Sequence, residues 1–475
     1  MRRPLSFPLR QLGWSALAAT ALLTGCANLA SDYERPALPV PPALGNAATG
    51  TAPASSEIQR LDWSAFVQAP PLRELIALAL DNNRDLRVAL LAIEKARAQY
   101  GVERANLLPS VAATGLGNRT RSAADLTTSG RAQDSSQYSA QLGFSSYEID
   151  FFGRVRNLND VALQEYLRIT ENQRSVQLSL IAEVANAWLT LAADQQRLQL
   201  ARDTLKSREA SYTLTQRMHS LGATSGLVLA QNQTTVDSAR VDVASYASQV
   251  ARDRNALQAL VGAPVPAPLL PPAPGPGATV AALLALPADL PSSVLLQRPD
   301  VTAAERSLLG SYASVGAARA AFFPSITLTA SLGTASSDLS GLFETGNGTW
   351  SFIPQIRLPI FDAGRNRANL QVAEANQGIA VAQYEKTVQT AFREVADALV
   401  DRATLADRLA AQASLLDATQ RAFTLSDARF KAGVDNYLTV LDAQRSLYLA
   451  QQALIGLQLA EQANRITLYK VLGGG

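Results

Sequence analysis

The sequence predicts a mixed fold, in which β-strands of a membrane barrel alternate with long coiled-coil α-helices in two repeats of one chain. Three observations support this prediction. Segments of the two halves match at nearly constant spacing, each half contains a very long run almost free of helix breakers, and alternating apolar and polar residues precede each run.

The repeat can be read from the printed sequence. ANLLPSVAATG at 105–115 matches AAFFPSITLTA at 320–330, and Gly222 matches Gly433. Chance similarity would not keep matching segments in the same order and at nearly the same spacing over such distances. We therefore infer an internal duplication.

Each half contains one very long helical run, interrupted only by Gly378 in the second half. At about 1.5 Å per residue, such a run forms a helix close to ~100 Å long. A further helical run follows each of them after a glycine-containing turn. The predicted helices span about 154–221 and 227–261 in the first repeat and about 365–432 and 434–470 in the second.

Both long helices carry apolar residues at coiled-coil spacing. The seam residues of the first helix lie three, four or seven positions apart, and equivalent residues occur in the second. They are Ile181, Val184, Trp188, Leu191, Leu198 and Leu205 in the first, and Phe392, Val395, Leu399, Leu409 and Leu416 in the second.

Strand-like segments precede each long helix. SITLTASLG at 325–333 alternates hydroxyl and apolar residues, and TWSFIPQIRLPI at 349–360 keeps large apolar residues on one parity. In the first repeat, Tyr138 and Phe144 share a parity that shifts before Ile149. The predicted strands span about 108–118, 137–150, 323–334 and 348–361.

Such strands suit a barrel with one face towards lipid and the other towards water, and a small soluble sandwich is the alternative. We predict that the polar parity lines the barrel lumen through Ser325, Thr327, Thr329 and Ser331. Four strands cannot close a barrel, because about eight are needed even for a filled one. Several chains must therefore share one barrel, and either two or three copies would close it.

The only cysteine, Cys26, lies in LLTGCA at 22–27, after a basic start and a short apolar run. LTGC resembles a bacterial lipobox, so we predict a signal peptide at 1–25 and a lipid with acyl chains such as palmitate on Cys26. A buried, inert thiol is the alternative. The lipid is the only non-protein group expected, and 26–70 is predicted to be an extended segment.

The remaining chain divides into a first repeat at 71–262, a proline-rich linker at 263–290 and a second repeat at 291–472. Beyond the signal, no stretch reaches about 18 continuous apolar residues, so no transmembrane helix is predicted.

Charge and composition argue against several classes of function. The chain has 42 basic and 40 acidic residues, which gives no reason to expect a nucleic-acid partner. His219 is the only histidine, so a structural zinc site is excluded. No Walker loop, HExxH or nucleophile elbow occurs, and we predict no enzyme, no catalytic residues and no metal site.

The lipobox, the duplicated halves and the segments LPIFDAGR, RPDV and FKAGVDNYLTVLDAQRSLYLAQQ together resemble the outer-membrane factor (TolC-like) family, in particular the OprM-like (NodT) efflux lipoproteins. The resemblance implies a homotrimer with a 12-stranded barrel in the outer membrane, continued by a periplasmic α-helical barrel. It implies a passive exit duct for drugs or other small toxic compounds, served by an inner-membrane RND-type pump and a periplasmic adaptor. A type I secretion duct and a lipid-anchored coiled-coil spacer without a pore are the alternatives.

The helix reversal in the second repeat is the main candidate site. Asp435, Leu438, Asp442 and Arg445 are spaced three, four and three apart, which places them on one helix face, and an ordinary solvated face is the alternative. The resemblance implies that Leu438 and Asp442 constrict the periplasmic mouth, and that Arg429 and Arg445 help to keep it shut. An apolar ring can hold back ions, and an acidic ring favours cations.

The first reversal lacks these acids. Its small tip predicts an adaptor-docking surface together with the matching residues of the second turn, although packing at a tight reversal explains these residues almost as well. The predicted contact residues are Gly222, Ala223, Thr224, Ser225, Gly433 and Val434.

Overall fold

A computed structural model of the protein describes residues 27–44, 62–272, 283–284, 286 and 290–474. Cys26 and the predicted signal peptide at 1–25 lie outside the described residues, as does part of the proline-rich linker.

The two halves of the described chain share one succession of elements. After helix α1, each half has a 22-residue helix, two strands, a 67-residue helix and a shorter helix. The elements are α1 Pro70–Asn82, α2 Arg84–Ala105, β1 Ala112–Ser122, β2 Gln133–Ile149, α3 Arg154–Ser220, α4 Gly226–Val261, α5 Pro299–Ala320, β3 Ser325–Ser336, β4 Gly348–Arg357, α6 Arg365–Lys431 and α7 Tyr437–Val471.

The four strands form one antiparallel sheet in the order β1-β2-β3-β4, so the strand hairpin of one repeat pairs with that of the other. The strand count and the two long helices confirm the predicted mixed fold. Among the described residues, no strand pairs with the outer edge of β1 or β4, and the only other ladder joins Ala43–Leu44 to Leu290–Pro291. The sheet of one chain is therefore open.

Four strand boundaries differ from the predicted ones by four residues each. Strand β1 ends at Ser122 rather than at 118, and β2 begins at Gln133 rather than at 137. The chain beyond α2 continues as a turn, in which the amide of Leu108 donates to the carbonyl of Ala105 at 3.1 Å, so β1 begins at Ala112 rather than at 108. Strand β4 ends at Arg357 rather than at 361, and Asp362 then accepts hydrogen bonds from the amides of Gly364 and Asn366 at the start of α6, both at 2.9 Å.

The predicted parity shift in β2 is confirmed. The pairing with β3 shifts between Phe144 and Tyr147, and Ser146 has a positive φ of 54°. The amide of Ser146 donates to the hydroxyl of Thr329 at 3.0 Å. An extra residue in one strand reverses the faces of all later side chains, so Ile149 joins the apolar face.

The coiled-coil seam differs between the two long helices. In α3, every predicted seam residue except the half-buried Leu205 is buried. In α6, the buried stripe shares only Val395 with the predicted seam, and the other predicted residues are half-buried. The buried stripe of α6 consists of Ala380, Tyr384, Val388, Ala391, Val395, Ala398 and Leu405.

Helices α1, α2 and α5 were not predicted, and a short helix, Trp63–Phe66, lies within the segment expected to be extended. Leu72, Leu75, Ile76 and Ala79 of α1 are buried at spacings of three, one and three. Such an apolar stripe stabilises a helix by burial against the rest of its unit.

The chain divides into two compact units. The first contains Met1–Ala37, Ile93–Ile169 and Ala304–Tyr384, with all four strands of the sheet. The second contains Leu38–Ala92, Thr170–Ala303 and Glu385–Gly475. Each unit takes segments from both repeats, so the units do not coincide with the predicted repeats at 71–262 and 291–472.

In the second unit, both repeats have a matching contact, in which a side chain before a helix donates to a carbonyl near the end of the repeat. We call this contact a clasp. Asn83, just before α2, donates from its amide to the carbonyl of Leu260 at 2.7 Å. Arg298, just before α5, donates to the carbonyl of Val471 at 2.8 Å and also to Asp300 and Glu394. Both clasps hold a carbonyl in the last turn of a repeat, where no helical partner exists.

One described helix, α3, contains a stretch long and apolar enough to cross a membrane, although none was predicted. In this stretch, 56% of the residues are buried inside the protein. A buried core helix gives the same signal, so this is weak evidence of a membrane span.

Candidate functional site

The two helix reversals have the same backbone geometry. Gly222 and Gly433 end their helices with positive φ angles of 75° and 76°. The next amides, those of Ala223 and Val434, donate to carbonyls five residues earlier at 2.8 and 3.0 Å. This pattern terminates a helix at a left-handed glycine. The duplication thus provides two similar tips that differ in their side chains.

Each turn also caps the helix that follows. The hydroxyl of Ser225 accepts from the amide of Val228 at 3.3 Å, and the side-chain oxygen of Asn436 accepts from that of Thr439 at 3.2 Å. Helix α7 therefore begins at Tyr437 rather than at 434.

The predicted adaptor residues of the first turn form a small, uncharged tip. Gly222, Ala223 and Ser225 are exposed, and Thr224 is half-buried. Nδ1 of His219 lies 3.0 Å from the carbonyl oxygen of Thr224, so this histidine braces the turn. In the second turn, Gly433 and Val434 are likewise exposed.

Asp435 belongs to the second turn and not to the face of α7, because it precedes the helix. Arg429, in the last turn of α6, donates to both carboxylate oxygens of Asp435 at 2.6 and 2.9 Å. These hydrogen bonds hold the pKa of Asp435 below its ordinary value. The pair ties the end of α6 to the turn within one chain.

Leu438, Asp442 and Arg445 share one exposed face of α7. The side chain of Asp442 is 79% exposed and that of Arg445 is 70% exposed, and their closest approach is 3.9 Å. Leu438 is 50% exposed one turn earlier. In a single chain these three side chains face solvent and are therefore available to a neighbouring copy.

A buried polar cluster beneath the turns was not predicted. The hydroxyl of Tyr437, the first residue of α7, donates a hydrogen bond to the side-chain oxygen of Asn232. Asn232 in turn donates to the hydroxyl of Thr215 at 3.0 Å. The available sequence signal was a polar residue, Asn232, inside an otherwise apolar stripe of α4 that includes Val236 and Ala239.

The four predicted lumen residues lie on one face of β3, as their alternation requires. The hydroxyls of Ser331 and Ser351 are 2.7 Å apart across the β3–β4 pair. Thr329 accepts a hydrogen bond from the chain at the β2 bulge, and Ser325 donates to the carbonyl of Arg357 at 3.4 Å. Thr327 pairs with residues on both neighbouring strands.

The opposite face of the sheet is apolar and exposed. Pairing places Leu142, Leu332 and Trp350 side by side, and Ile326 opposite Ile356. All except Ile326 are exposed in the single chain, Trp350 by 77%. Apolar residues at this density on an exposed surface mark an interface with lipid or protein.

Among the described residues, no group of three or more histidine, cysteine or acidic side chains could hold a metal ion.

A sequence profile of the family described as outer membrane efflux protein matches residues 75–263 and 290–474. The toluene efflux pump outer membrane protein TtgC and the antibiotic efflux pump outer membrane protein ArpC, both of Pseudomonas putida, are each 46% identical over 462 residues. These alignments cover 97% of this chain and 95% of each relative.

Among solved structures, the open state of the MtrE outer membrane channel of Neisseria gonorrhoeae superposes with a TM-score of 0.84 at 38% identity. That match covers 94% of this chain and 98% of the channel chain.

Proposed function

The chain belongs to the outer membrane efflux protein family, and on this basis we propose that it is the subunit of the exit duct of a tripartite efflux pump. The duct is passive, spans the outer membrane, and conducts small toxic compounds such as aromatic solvents and antibiotics. The names of the relatives support efflux over secretion of a polypeptide, and their coverage of nearly the whole chain supports the same architecture.

The open sheet is the observation that carries this proposal. Its apolar face is exposed and its two edges are unpaired in the described chain. Backbone edges cannot face hydrocarbon, so β4 of one copy pairs with β1 of the next. Three copies supply twelve strands to one barrel, which the long helices continue in the periplasm. A soluble sandwich would instead need a second sheet over the apolar face.

The polar face of the sheet then lines the lumen. Its β3 residues, including Thr329 and Ser331, supply a row of hydroxyl groups, and Glu148 and Arg357 place one acid and one base at the end of this row on the same face. A wall of this kind discriminates little among uncharged cargoes. The pump therefore selects the cargo.

The gate lies at the start of α7. Three copies turn Leu438 into an apolar ring and Asp442 into an acidic ring, with Arg445 beside it. The apolar ring holds back ions, and the charged pairs between copies keep the mouth narrow. The first turn, from Gly222 to Ser225, offers its small surface to the periplasmic adaptor, which links the duct to an RND-type pump. The second turn contributes Gly433 and Val434.

Cys26 carries the lipid that anchors the chain to the outer membrane. The support is the lipobox and the basic, apolar start of the sequence. Mass spectrometry of the N-terminal peptide from membrane-extracted protein tests this directly. A diacylglycerol-modified Cys26 is expected, and an unprocessed chain that begins at Met1 would contradict it.

Single-channel recording in planar bilayers tests the duct. Wild-type protein is expected to insert as a trimer of low conductance, and the double variant Asp442→Asn, Arg445→Gln should show higher conductance because it removes the charges at the mouth. The matched control is Asp237→Asn with Arg240→Gln, an exposed i,i+3 pair on α4. Equal conductance in the gate and control variants would contradict the gate, and a monomeric particle without a pore would contradict the duct.

A further inference from the structure

Two arginines of the first strand hairpin lie on the apolar face of the sheet. Arg119 and Arg121 belong to β1, and both are exposed. Ala113, earlier in the same strand, pairs with Leu142, which lies on the apolar face described above. Directly paired residues share a face, and side chains alternate along a strand. Arg119 and Arg121 therefore share the apolar face and point away from the lumen.

Both arginines lie near the strand ends that are farthest from the helices. Strand β1 begins after α2 and β2 leads into α3, whereas their opposite ends meet in the hairpin loop at 123–132. In the proposed duct the long helices extend into the periplasm, so this loop lies at the outer surface of the membrane. Arg119 and Arg121 are therefore on the lipid side of the barrel, close to its outer rim.

The height of the apolar face places Arg119 just beyond the hydrocarbon. Along β3, this face runs from Ile326, which pairs with Ile149, to Ser336, which pairs with Tyr138. At about 3.3 Å per residue and a strand tilt of about 35–45°, this length of strand spans about 25 Å, the height of the lipid-facing band of such barrels. Tyr138 thus lies at the outer interface, where aromatic residues are typical, and Arg119 lies one step further out.

Strand β2 supplies one serine and one acid opposite the two arginines. Arg119 pairs with Ser136, and Arg121 pairs with Asp134. Nε of Arg121 lies 3.9 Å from the carboxylate of Asp134, and the two side chains are 75% and 51% exposed. An ion pair of this length and exposure is weak. Both guanidinium groups are therefore available to a partner outside the chain.

We propose that Arg119 and Arg121 form a binding site for the phosphate groups of lipid A, the glycolipid of the outer leaflet. Lipid A carries these phosphates on its sugar headgroup, directly outside the hydrocarbon. A guanidinium group binds phosphate through two parallel hydrogen bonds, and the two arginines are about 7 Å apart on one face. The inference rests on the proposed function, because only a barrel in the outer membrane places this face against lipid.

The duplication restricts the site to the first hairpin. At the spacing that aligns 105–115 with 320–330, the residues of the second repeat that match the two arginines are Thr334 and Ser336. The only basic residue of β3 and β4 is Arg357, which lies at the helix end of the sheet and on the lumen face. A trimer therefore carries three such sites, one per subunit.

Native mass spectrometry of the full-length trimer, titrated with bisphosphorylated lipid A, tests the proposal. We expect Arg119→Gln with Arg121→Gln to weaken binding about 30-fold, which corresponds to about 2 kcal/mol for two arginines near an anionic lipid surface. Lysine at both positions should retain more affinity than glutamine, because it keeps the charge but not the fork. Lipid A without phosphates should bind wild type and the glutamine variant equally.

The matched control is Arg240→Gln with Arg421→Gln, which removes two exposed arginines from the helices and leaves the sheet unchanged. It should bind lipid A as wild type does, and equal weakening of the control and the sheet variant would overturn the proposal. Excess inorganic phosphate should not displace lipid A, because its acyl chains also contact the apolar face. Displacement would mean that the site takes free phosphate, which would likewise contradict a lipid site.

The competing partner for the arginines is the β3–β4 loop of the next copy, which contains the exposed Asp338 and Glu344. If the arginines bound these acids, the glutamine variant would dissociate at a lower temperature in lipid-free detergent and keep its affinity for lipid A. That result would overturn the lipid site.

The wild-type protein separates failure of this inference from failure of the proposed function. If it forms a conducting trimer that binds lipid A equally with and without phosphates, the duct stands and the lipid site fails. If it is a monomer without a pore, the duct fails and the lipid site fails with it.

Discussion

Replacing Gly316 with alanine tests how the N-terminal segment 27–35 is held in the first unit. A Cβ atom on Gly316 would lie 2.6 Å from Nδ2 of Asn157 and 2.7 Å from the Cβ of Ala30. These distances are well below the contact optimum of about 3.5–4.0 Å. The same Asn157 nitrogen donates to the side-chain oxygen of Asn28 at 2.8 Å. Alanine must therefore displace the segment or break this bond.

Overpacking of this kind costs about 1–3 kcal/mol. If that cost falls on docking of the segment, its undocked population rises roughly five- to 150-fold. Bonds from Arg35 to both carboxylate oxygens of Glu305, at 2.7 and 2.9 Å, and from Tyr33 at 2.8 Å retain the rest of the segment. We therefore expect the docked form to dominate still.

Chymotrypsin cleavage after Tyr33 measures the undocked population, because cleavage follows the open fraction when opening and closing are fast. Gly316→Ala should be cleaved roughly five- to 150-fold faster than wild type. The control is Gly310→Ala on the same helix, whose new Cβ would lie an ordinary 3.5 Å from Gln164. Equal cleavage of the two variants would refute the packing argument.

Three further predictions concern the second unit. Arg298→Met should destabilise the protein by about 2–4 kcal/mol, because it breaks a buried ion cluster whose carboxylates are partly solvated. The variant should unfold at a lower temperature than wild type, and an unchanged unfolding temperature would contradict the clasp. Burial and Asp194 raise the pKa of Asp253 to about 6 in the folded protein. The folded state therefore binds this proton more tightly than the unfolded state, and stability falls as pH rises between 4 and 6. Asp253→Asn should raise the unfolding temperature at pH 7.5 but not at pH 4. An equal gain at both pH values would count against this. Gly433→Ala places a side chain at a φ of 76°, costs about 1–2 kcal/mol, and should accelerate hydrogen exchange in that turn, whereas unchanged exchange would show the turn to be unstrained.

The periodicity of the sequence predicted much of the fold. Matching segments, breaker-free runs and strand parity predicted the two long helices, the four strands and the bulge in β2, because each depends on local pattern alone. The seam of α6 was predicted less well. The α6 seam was predicted from the positions that match the α3 seam. The buried side of a helix depends on the elements packed against it, and these differ between the two repeats.

The candidate site was likewise predicted only in part. Spacing placed Leu438, Asp442 and Arg445 on one helix face, and the structure brings them together there. Spacing also placed Asp435 on that face, but the Asn436 cap starts the helix later, and Arg429 binds Asp435 within the turn. Their role as a gate stays a prediction, since it depends on neighbouring copies.

The sequence by itself determined the duplication, the alternation of strands and long helices, and the need for several copies, because these follow from residue period and from the cost of unpaired backbone in lipid. Only the tertiary structure decided which residues far apart in the chain contact one another. The bond from Tyr437 to Asn232 and the two clasps at Asn83 and Arg298 join residues far apart in the chain. No local pattern records such pairs, because each exists only once packing excludes water from both partners.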